Sequence, residues 1–275
     1  MNKIRAIKEN IIQINAIVEK NVKLNIRFKL PLILSFIRPL ISLIIPIIIM
    51  GQLFTFTTNT NFGPWDETNY VVFQLVAWHL GVTYSVMNAF PAKLKIEKFW
   101  QTLPALLIAP FKRINLLIGI FISYFIMNSI SFIIFFVICY IFYPISFLTV
   151  ISILFIYFLI AVLFSGIGLF FGVLAISKEN FVSIFQLGMS FIFSFSCISL
   201  PFQFFPNYFQ NIALLNPLYY IIDLCRLVWI ENNIFYSIIA HPINILVLIF
   251  FVCTIPITGY YLFELIFKKY GIVGY

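Results

Sequence analysis

Few side chains in this chain have the types and spacing that catalysis or metal binding needs. His79 and His241 are its two histidines, and Asp66 and Glu67 are its one pair of adjacent carboxylates. Neighbours in a sequence usually point apart, so this pair is expected to be solvated in a polar loop rather than to act as acid and base. Neither H-E-x-x-H nor G-x-S-x-G occurs, and the sequence therefore predicts neither an enzyme active site nor a metal site.

The chain also lacks the phosphate-binding loop with which many ATPases hold their nucleotide. No G-x-x-x-x-G-K-[ST] segment is present, so the chain cannot hydrolyse ATP through a P-loop of its own. Its four cysteines, Cys139, Cys197, Cys225 and Cys253, show no paired spacing. Reduced thiols are the expectation for them, and a Cys197–Cys225 disulfide is the alternative.

The remaining candidates for function lie inside apolar stretches. Trp78, Phe191 and Phe195 could form the walls of a pathway for an amphipathic or lipid-like cargo, although 35 phenylalanines make such walls expected from composition as well. His79 could sense a cargo or a proton, or it could be hydrogen-bonded within the packing. Buried carboxylates are too few for an ion pathway, which argues against a proton- or sodium-driven carrier.

Membrane-spanning helices must position these residues, because the chain is too apolar for a soluble protein. It is 63% hydrophobic and 9% charged, with a mean hydropathy of +1.07, and so few charges could not cover a water-soluble surface. Apolar runs of about 20 residues match the thickness of a bilayer. The sequence predicts an all-α polytopic membrane protein with six transmembrane helices, at 31–54, 70–92, 114–143, 144–176, 181–200 and 242–267.

The residues before the first span, 1–30, form a separate amphipathic unit. Ile4, Ile7, Ile11 and Ile14 recur at helical spacing with polar residues between them, which predicts an interface helix lying along the cytoplasmic membrane surface. A basic tail with chance periodicity is the alternative. Residues 31–275 then form one six-span transmembrane domain.

Basic residues give the expected orientation. Nearly all of the 17 lysines and arginines lie before the first span, after the second, after the fourth or at the C-terminus. The exceptions are Arg38, which lies early in the first span and can reach the basic side, and Arg226. The positive-inside rule therefore places both termini in the cytoplasm, and it places segments 55–69 and 201–241 on the outer side of the cell membrane. The net charge of +8 does not indicate nucleic-acid binding, because these bases flank apolar runs; membrane lipids are the expected partners.

Two segments fit neither a plain turn nor a span. The cytoplasmic segment 93–113 combines an apolar stretch with a basic rim, which suits either docking onto a soluble partner or resting on lipid. The outer segment 201–226 is too apolar for an aqueous loop and too rich in proline for a span, so it predicts short re-entrant helices between spans five and six. Asp223 and Arg226 could pair there, and Glu264 is expected to pair with Lys268.

Both segments resemble those of ABC transporter permeases of the type 2 exporter class. The cytoplasmic segment is similar in Thr102-Leu103, Leu106-Leu107, Pro110 and Arg113, and the outer segment is similar in Phe205-Pro206, Phe209-Gln210, Leu215-Asn216-Pro217-Leu218, Asp223 and Arg226. The six spans, the N-terminal helix and the cytoplasmic termini resemble that class too. The chain departs from it before Pro201, where members often have a small residue such as glycine.

The resemblance implies the permease subunit of an ATP-driven exporter of drugs, lipids or lipid-linked glycans. Segment 93–113 would couple it to a separate ATP-binding subunit through Glu97, Thr102, Leu103, Leu106, Leu107, Pro110 and Arg113. Segment 201–226 would form an outer re-entrant gate through Pro201, Pro206, Asn216, Pro217, Asp223 and Arg226. The permease itself would hold no cofactor, since ATP and Mg belong to the partner, and a second copy or a related permease would complete the transporter. A non-transporting membrane protein, either an anchor for a soluble enzyme or a lipid-modifying enzyme, is the alternative.

Overall fold

The computed structural model describes residues 2–56, 63–66, 68–101, 112–177 and 181–270. Within these ranges the chain is helical and forms no strand, so the predicted all-α class is confirmed. The helices are α1 (Asn2–Arg27), α2 (Lys29–Phe56), α3 (Tyr70–Met87), α4 (Ala89–Phe99), α5 (Arg113–Phe142), α6 (Phe147–Ser177), α7 (Phe181–Ser194), α8 (Asn207–Leu215), α9 (Pro217–Glu231), α10 (Ile234–Ala240) and α11 (Pro242–Tyr270), with a 3-10 helix at Phe202–Phe204.

Four described segments are long and apolar enough to cross a membrane, and a fifth is bent. The four are Tyr70–Glu97, Arg113–Phe142, Phe147–Leu174 and Pro242–Ile266, and the bent pair of α8 and α9 adds a fifth if it counts as one span. The chain is therefore a multi-pass membrane protein. The number of six spans stays a prediction, in which α2 with 28 residues and α7 with 14 residues are the first and the fifth.

Large apolar side chains cover much of the outward surface of these helices. Ile45 of α2 is 65% exposed and Leu187 of α7 is 65% exposed, and similar residues recur on α5, α6 and α11. Such a surface would be costly in water but matches the hydrocarbon of a bilayer. The exposed apolar surface and the helix lengths thus both indicate that these helices lie in a bilayer.

Helix α6 packs closely against α3, α4 and α11, and glycine permits two of these approaches. A Cβ added to Gly168 would lie 2.0 Å from the carbonyl oxygen of Met87, and one added to Gly166 would lie 2.7 Å from the main-chain nitrogen of Pro256. No side chain larger than hydrogen fits at these distances, so both glycines serve packing within this chain.

Helix α7 ends at Ser194, before the predicted end of its span at 200. Cys197 follows with a φ of 55°, a left-handed conformation that only an ordered turn makes favourable for such a residue. Cys197 and Cys225 are both buried free thiols, so the alternative of a disulfide between them is wrong.

Two side chains fasten the C-terminal end of α9 to the connection between α5 and α6. Trp229 donates from Nε1 to the carbonyl oxygen of Tyr143 at 3.1 Å. Asn232, which ends α9 in a left-handed conformation with a φ of 49°, accepts from the amide of Ser146 at 2.7 Å. Asparagine tolerates that conformation well, and it leaves the side-chain oxygen free to bond the neighbouring connection.

Candidate functional site

The ends of the predicted coupling segment are surrounded by a group of polar side chains that we call the base cluster: Lys20, Glu97, Arg113, Asn115 and Glu264. Thr102, Leu103, Leu106, Leu107 and Pro110 lie outside the described residues. The structure therefore describes the predicted coupling residues Glu97 and Arg113 and their neighbours.

Glu97 of α4 is directed into the protein. It is 7% exposed, and its carboxylate accepts a hydrogen bond from Nζ of Lys20 at 3.0 Å. This ion pair joins α4 to α1. Lys93, one helical turn before Glu97, is 3% exposed. Lys93 is thus buried rather than part of a basic surface, because the helical run from α3 continues into the bundle as α4.

Helix α1 packs along the first turns of α5 through alternating amide and apolar contacts. Asn115 donates from Nδ2 to the side-chain oxygens of Gln13 at 2.7 Å and Asn10 at 3.1 Å. Further along, Asn21 donates to the hydroxyl of Ser123 at 3.3 Å. Because both residue numbers rise together, α1 and α5 run in the same direction where they touch. The placement of α1 along a membrane surface stays a prediction.

Arg113, the first residue of α5, pairs with Glu264 of α11 at 3.4 Å. The hydroxyl of Tyr260 donates to the other carboxylate oxygen of Glu264, also at 3.4 Å. The prediction that Glu264 pairs with Lys268 is wrong, because the guanidinium of a helix distant in sequence lies closer than the lysine of its own helix. Arg113 thereby ties α5 to α11 directly after segment 102–111.

Together these contacts connect four helices through residues that precede and follow segment 102–111 in the sequence. The ion pairs and amide hydrogen bonds hold α1 to α4, α1 to α5 and α5 to α11 in defined positions. The described residues on both sides of the segment are thus held to neighbouring helices by side-chain contacts.

The outer segment is built around a sharp bend between α8 and α9. The two helices meet at 91°. Asn216 stands at the corner, accepts from the amide of Leu218 at 3.0 Å and donates to the carbonyl oxygen of Ile192 on α7 at 2.6 Å. Pro217 occupies the first turn of α9, where its missing amide proton costs nothing, and Pro206 directly precedes α8. The bend is thus locally encoded and fastened to α7.

Arg226 of α9 holds the turn that follows α7 in place. It is 2% exposed, and its guanidinium donates to the carbonyl oxygens of Phe73 at 3.2 Å, Cys197 at 2.8 Å and Ile198 at 2.6 Å. It also lies 3.5 Å from the centroid of the Phe73 ring. The left-handed turn at Cys197 directs two successive carbonyls at one guanidinium, which offsets the strain of that turn.

Asp223, one turn before Arg226, does not form the predicted ion pair with it. Its Oδ2 instead accepts from Nδ2 of Asn244 on α11 at 3.2 Å, and no described residue forms a hydrogen bond with its Oδ1. The guanidinium is turned away because the three main-chain carbonyls already occupy its donors. The two charges interact across a gap and not in direct contact.

Three residues beyond the predicted outer segment complete this region. The carboxylate of Glu231 accepts from the hydroxyl of Ser237 and lies 3.0 Å from Nε2 of His241. Glu231 ends α9, Ser237 is in α10, and His241 precedes α11, so one carboxylate joins three elements. Sequence reasoning missed this group. The signal was the recurrence of polar residues in an otherwise apolar stretch, 231–241.

Asp223 and Arg226 line a cavity of about 400 Å³ between α3, α9 and α10. Polar groups and aromatic rings share its walls, which are formed by Pro64, Trp65, Phe73, Cys197, Phe202, Gln203, Tyr219, Asp223, Arg226, Leu227, Glu231, Tyr236 and His241. Pro201, predicted in the gate, is buried beside this region at the start of the 3-10 helix.

The predicted pathway residues lie in α3 and around the C-terminal end of α7. Phe195 stacks on Phe209 of α8 at 5.7 Å and on Phe191 at 6.4 Å, so these two join α7 to the outer segment. Trp78 is half-buried and packs against the main apolar core. His79 lies in α3, and its side chain is outside the described residues.

Comparison with known proteins identifies one family. The family model described as ABC-2 type transporter matches residues 12–230, well over half of the chain. The match includes both ends of segment 102–111, the bend at Asn216 and Arg226. No curated protein matches the sequence. Among the described residues, no group of three or more His, Cys, Asp or Glu side chains is placed to hold a metal ion.

Proposed function

Since the chain belongs to the ABC-2 type transporter family, we propose that it exports an amphipathic cargo: a drug, a lipid-like molecule or a lipid-linked glycan. Members of this family are transmembrane permeases of ABC transporters, and that role implies an ATP-binding ABC partner. The match at 12–230 carries the proposal, because it includes both segments that we propose for coupling and gating. It favours a permease over an anchor or a lipid-modifying enzyme.

In this proposal the partner binds ATP and Mg, and segment 93–113 docks onto it. Closure of two ATP-binding subunits would push the segment, and the base cluster would pass the displacement to α1, α4, α5 and α11. The contacts of Glu97 and Arg113 support this role, since Glu97 joins segment 93–113 to α1 and Arg113 joins it to α11.

The outer segment 201–226 is proposed as the gate at the other face of the cell membrane. Two permease copies, each with six spans and cytoplasmic termini, would form the pathway between them. The bend at Asn216 supports this, because neither helix of the pair is long enough to cross a bilayer alone and both are fastened at the corner.

Co-purification tests the coupling role. The chain is extracted gently from its native membrane, and ATP hydrolysis and subunit stoichiometry are measured. We expect an ATP-hydrolysing partner at equal stoichiometry, and we expect Leu106→Asp with Leu107→Asp to release it while the permease still inserts. Leu106→Met with Leu107→Met, which keeps the apolar surface, is the matched control and should retain the partner. Retention by the Asp variant would show that the segment rests on lipid instead.

Cysteine labelling tests the orientation. Asn61→Cys and Asn232→Cys should react with a membrane-impermeant maleimide in intact cells. Lys268→Cys, at the exposed C-terminal end of α11, is the control and should react after permeabilisation. The reverse pattern would overturn the proposed topology.

A further inference from the structure

Asp223 is a half-buried carboxylate with one satisfied oxygen in a cavity large enough for a small molecule. Its Oδ2 receives one hydrogen bond from Asn244, and no described residue forms a hydrogen bond with its Oδ1. The cavity of about 400 Å³ has Asp223 in its wall. A carboxylate removed from bulk water is costly unless a donor or a positive charge satisfies it.

The neighbouring cation Arg226 does not satisfy Asp223. Arg226 lies one turn away on the same helix, but no ion pair joins the two side chains. Its Nε, Nη1 and Nη2 donate to three main-chain carbonyls, and its plane rests against Phe73. A guanidinium held in this way is a fixed structural cation and cannot swing toward Asp223 without releasing the chain around Cys197.

Glu231 is the second carboxylate of the cavity, and its hydrogen bonds differ from those of Asp223. Both oxygens of Glu231 have partners, one in Ser237 and the other in His241. Asp223 and Glu231 line the same cavity, so the unfilled capacity for a hydrogen-bond donor is at Asp223 and not spread over both acids.

We propose that this cavity binds a ligand with a protonated primary or secondary amine, and that the ammonium group donates to Oδ1 of Asp223. A charge-assisted hydrogen bond would supply a donor to Oδ1 and neutralise the charge of the carboxylate. The rings of Phe202, Tyr219 and Tyr236 line the same cavity and offer an apolar wall for the body of the ligand. The cavity volume accommodates an amine carried on one or two rings.

This inference goes beyond the proposed function and rests on it only for the side of the membrane from which the ligand enters. Binding to the cavity needs neither the ATP-binding partner nor transport. A permease without a partner could still bind the amine, and a working exporter could still lack this site, so the two proposals fail separately.

Equilibrium dialysis tests the site with the full chain in nanodiscs of zwitterionic lipid. The probes are labelled 2-phenylethylamine and its neutral analogue 2-phenylethanol, and empty nanodiscs give the lipid background. We expect the amine to bind roughly tenfold or more tightly than the alcohol, as a hydrogen bond between charged groups does. Asp223→Asn, which keeps an acceptor for Asn244, should bring amine binding down to that of the alcohol.

Glu231→Gln is the matched control, because it removes a carboxylate of the same cavity whose oxygens are already occupied. It should change the affinity for the amine by less than about threefold, whereas a loss equal to that of Asp223→Asn would overturn the assignment to Asp223. Equal binding of amine and alcohol by the unmodified chain, or no amine binding at all, would overturn the site itself. The comparison of the two probes does not depend on whether a variant folds.

Discussion

Replacement of Arg226 by lysine is the change that tests the structure of the outer segment most directly. Lysine keeps the positive charge, but its ammonium is a compact group that cannot span three carbonyls as a planar guanidinium does. Arg226→Lys therefore separates the requirement for charge from the requirement for geometry. The acceptors at risk are the carbonyls of Phe73, Cys197 and Ile198.

The magnitude follows from the number of hydrogen bonds that lysine cannot remake. If the ammonium keeps one of the three, two buried carbonyls lose a charged donor, at about 1.5–3 kcal/mol each. Hydrogen bonds between membrane helices average nearer ~0.6 kcal/mol, so we take the lower end of that range for each bond of the charged Arg226, which is 2% exposed. We expect the free energy of unfolding to fall by about 3 kcal/mol.

Two measurements check this expectation. The first is the free energy of unfolding in mixed detergent. The second is the rate at which Cys197, a buried thiol in the unmodified protein, reacts with a water-soluble maleimide. We expect faster labelling in Arg226→Lys, because its left-handed turn loses the donor that holds it.

The control is Arg113→Lys, which makes the same substitution at a half-exposed site with one hydrogen bond of 3.4 Å. It should change stability by less than about 1 kcal/mol. A loss below ~0.5 kcal/mol in Arg226→Lys, with Cys197 still protected, would refute the view that this guanidinium organises the outer segment.

Three further predictions concern the helix contacts, and each is measured by unfolding in detergent. Gly168→Ala forces a methyl group against a main-chain carbonyl of α3 and should cost about 1–3 kcal/mol, whereas Gly188→Ala, with no atom within 4 Å of the added methyl, should be neutral or slightly stabilising. A double-mutant cycle on Lys20→Met and Glu97→Gln should give a coupling energy of about 0.5–1 kcal/mol, because the lysine side chain is 52% exposed; a value near zero would mean that the pair does not hold α1 to α4. Arg113→Glu should destabilise the contact of α5 with α11 by about 1 kcal/mol, and high salt should reduce the difference.

The helical class and most helix positions were predictable because long apolar runs admit few other structures. The turn after α7 was not, since it depends on a guanidinium 29 residues further along the chain reaching the carbonyl of Cys197. The same limit applies to Glu264: spacing on one helix favours Lys268, and only tertiary packing brings Arg113 closer. Periodicity describes the faces of a helix, but it does not say which distant helix supplies the partner.

The candidate site was predicted unevenly for the same reason. Asn216 and Pro217 have local roles in capping and starting a helix, and residues of these types announce such roles in a sequence. Glu231 and His241 act through contacts between three elements, so their types alone gave little indication. The proposed binding of a ligand at Asp223 depends on the absence of an ion pair with Arg226, whose donors go to main-chain carbonyls. No sequence pattern records this.

The contact between α1 and α5 has a consequence for the order in which the chain is made. Gln13 meets Asn115 across 102 residues, and Asn21 meets Ser123 across the same separation. During synthesis the first helix leaves the ribosome well before its partner exists, so Ile17, which packs against Gly119 in the folded chain, stays without that contact until α5 has been made. The amide pairs of this contact can thus form only after α5 has been made, and a fault in them would leave α1 detached from the rest of the chain.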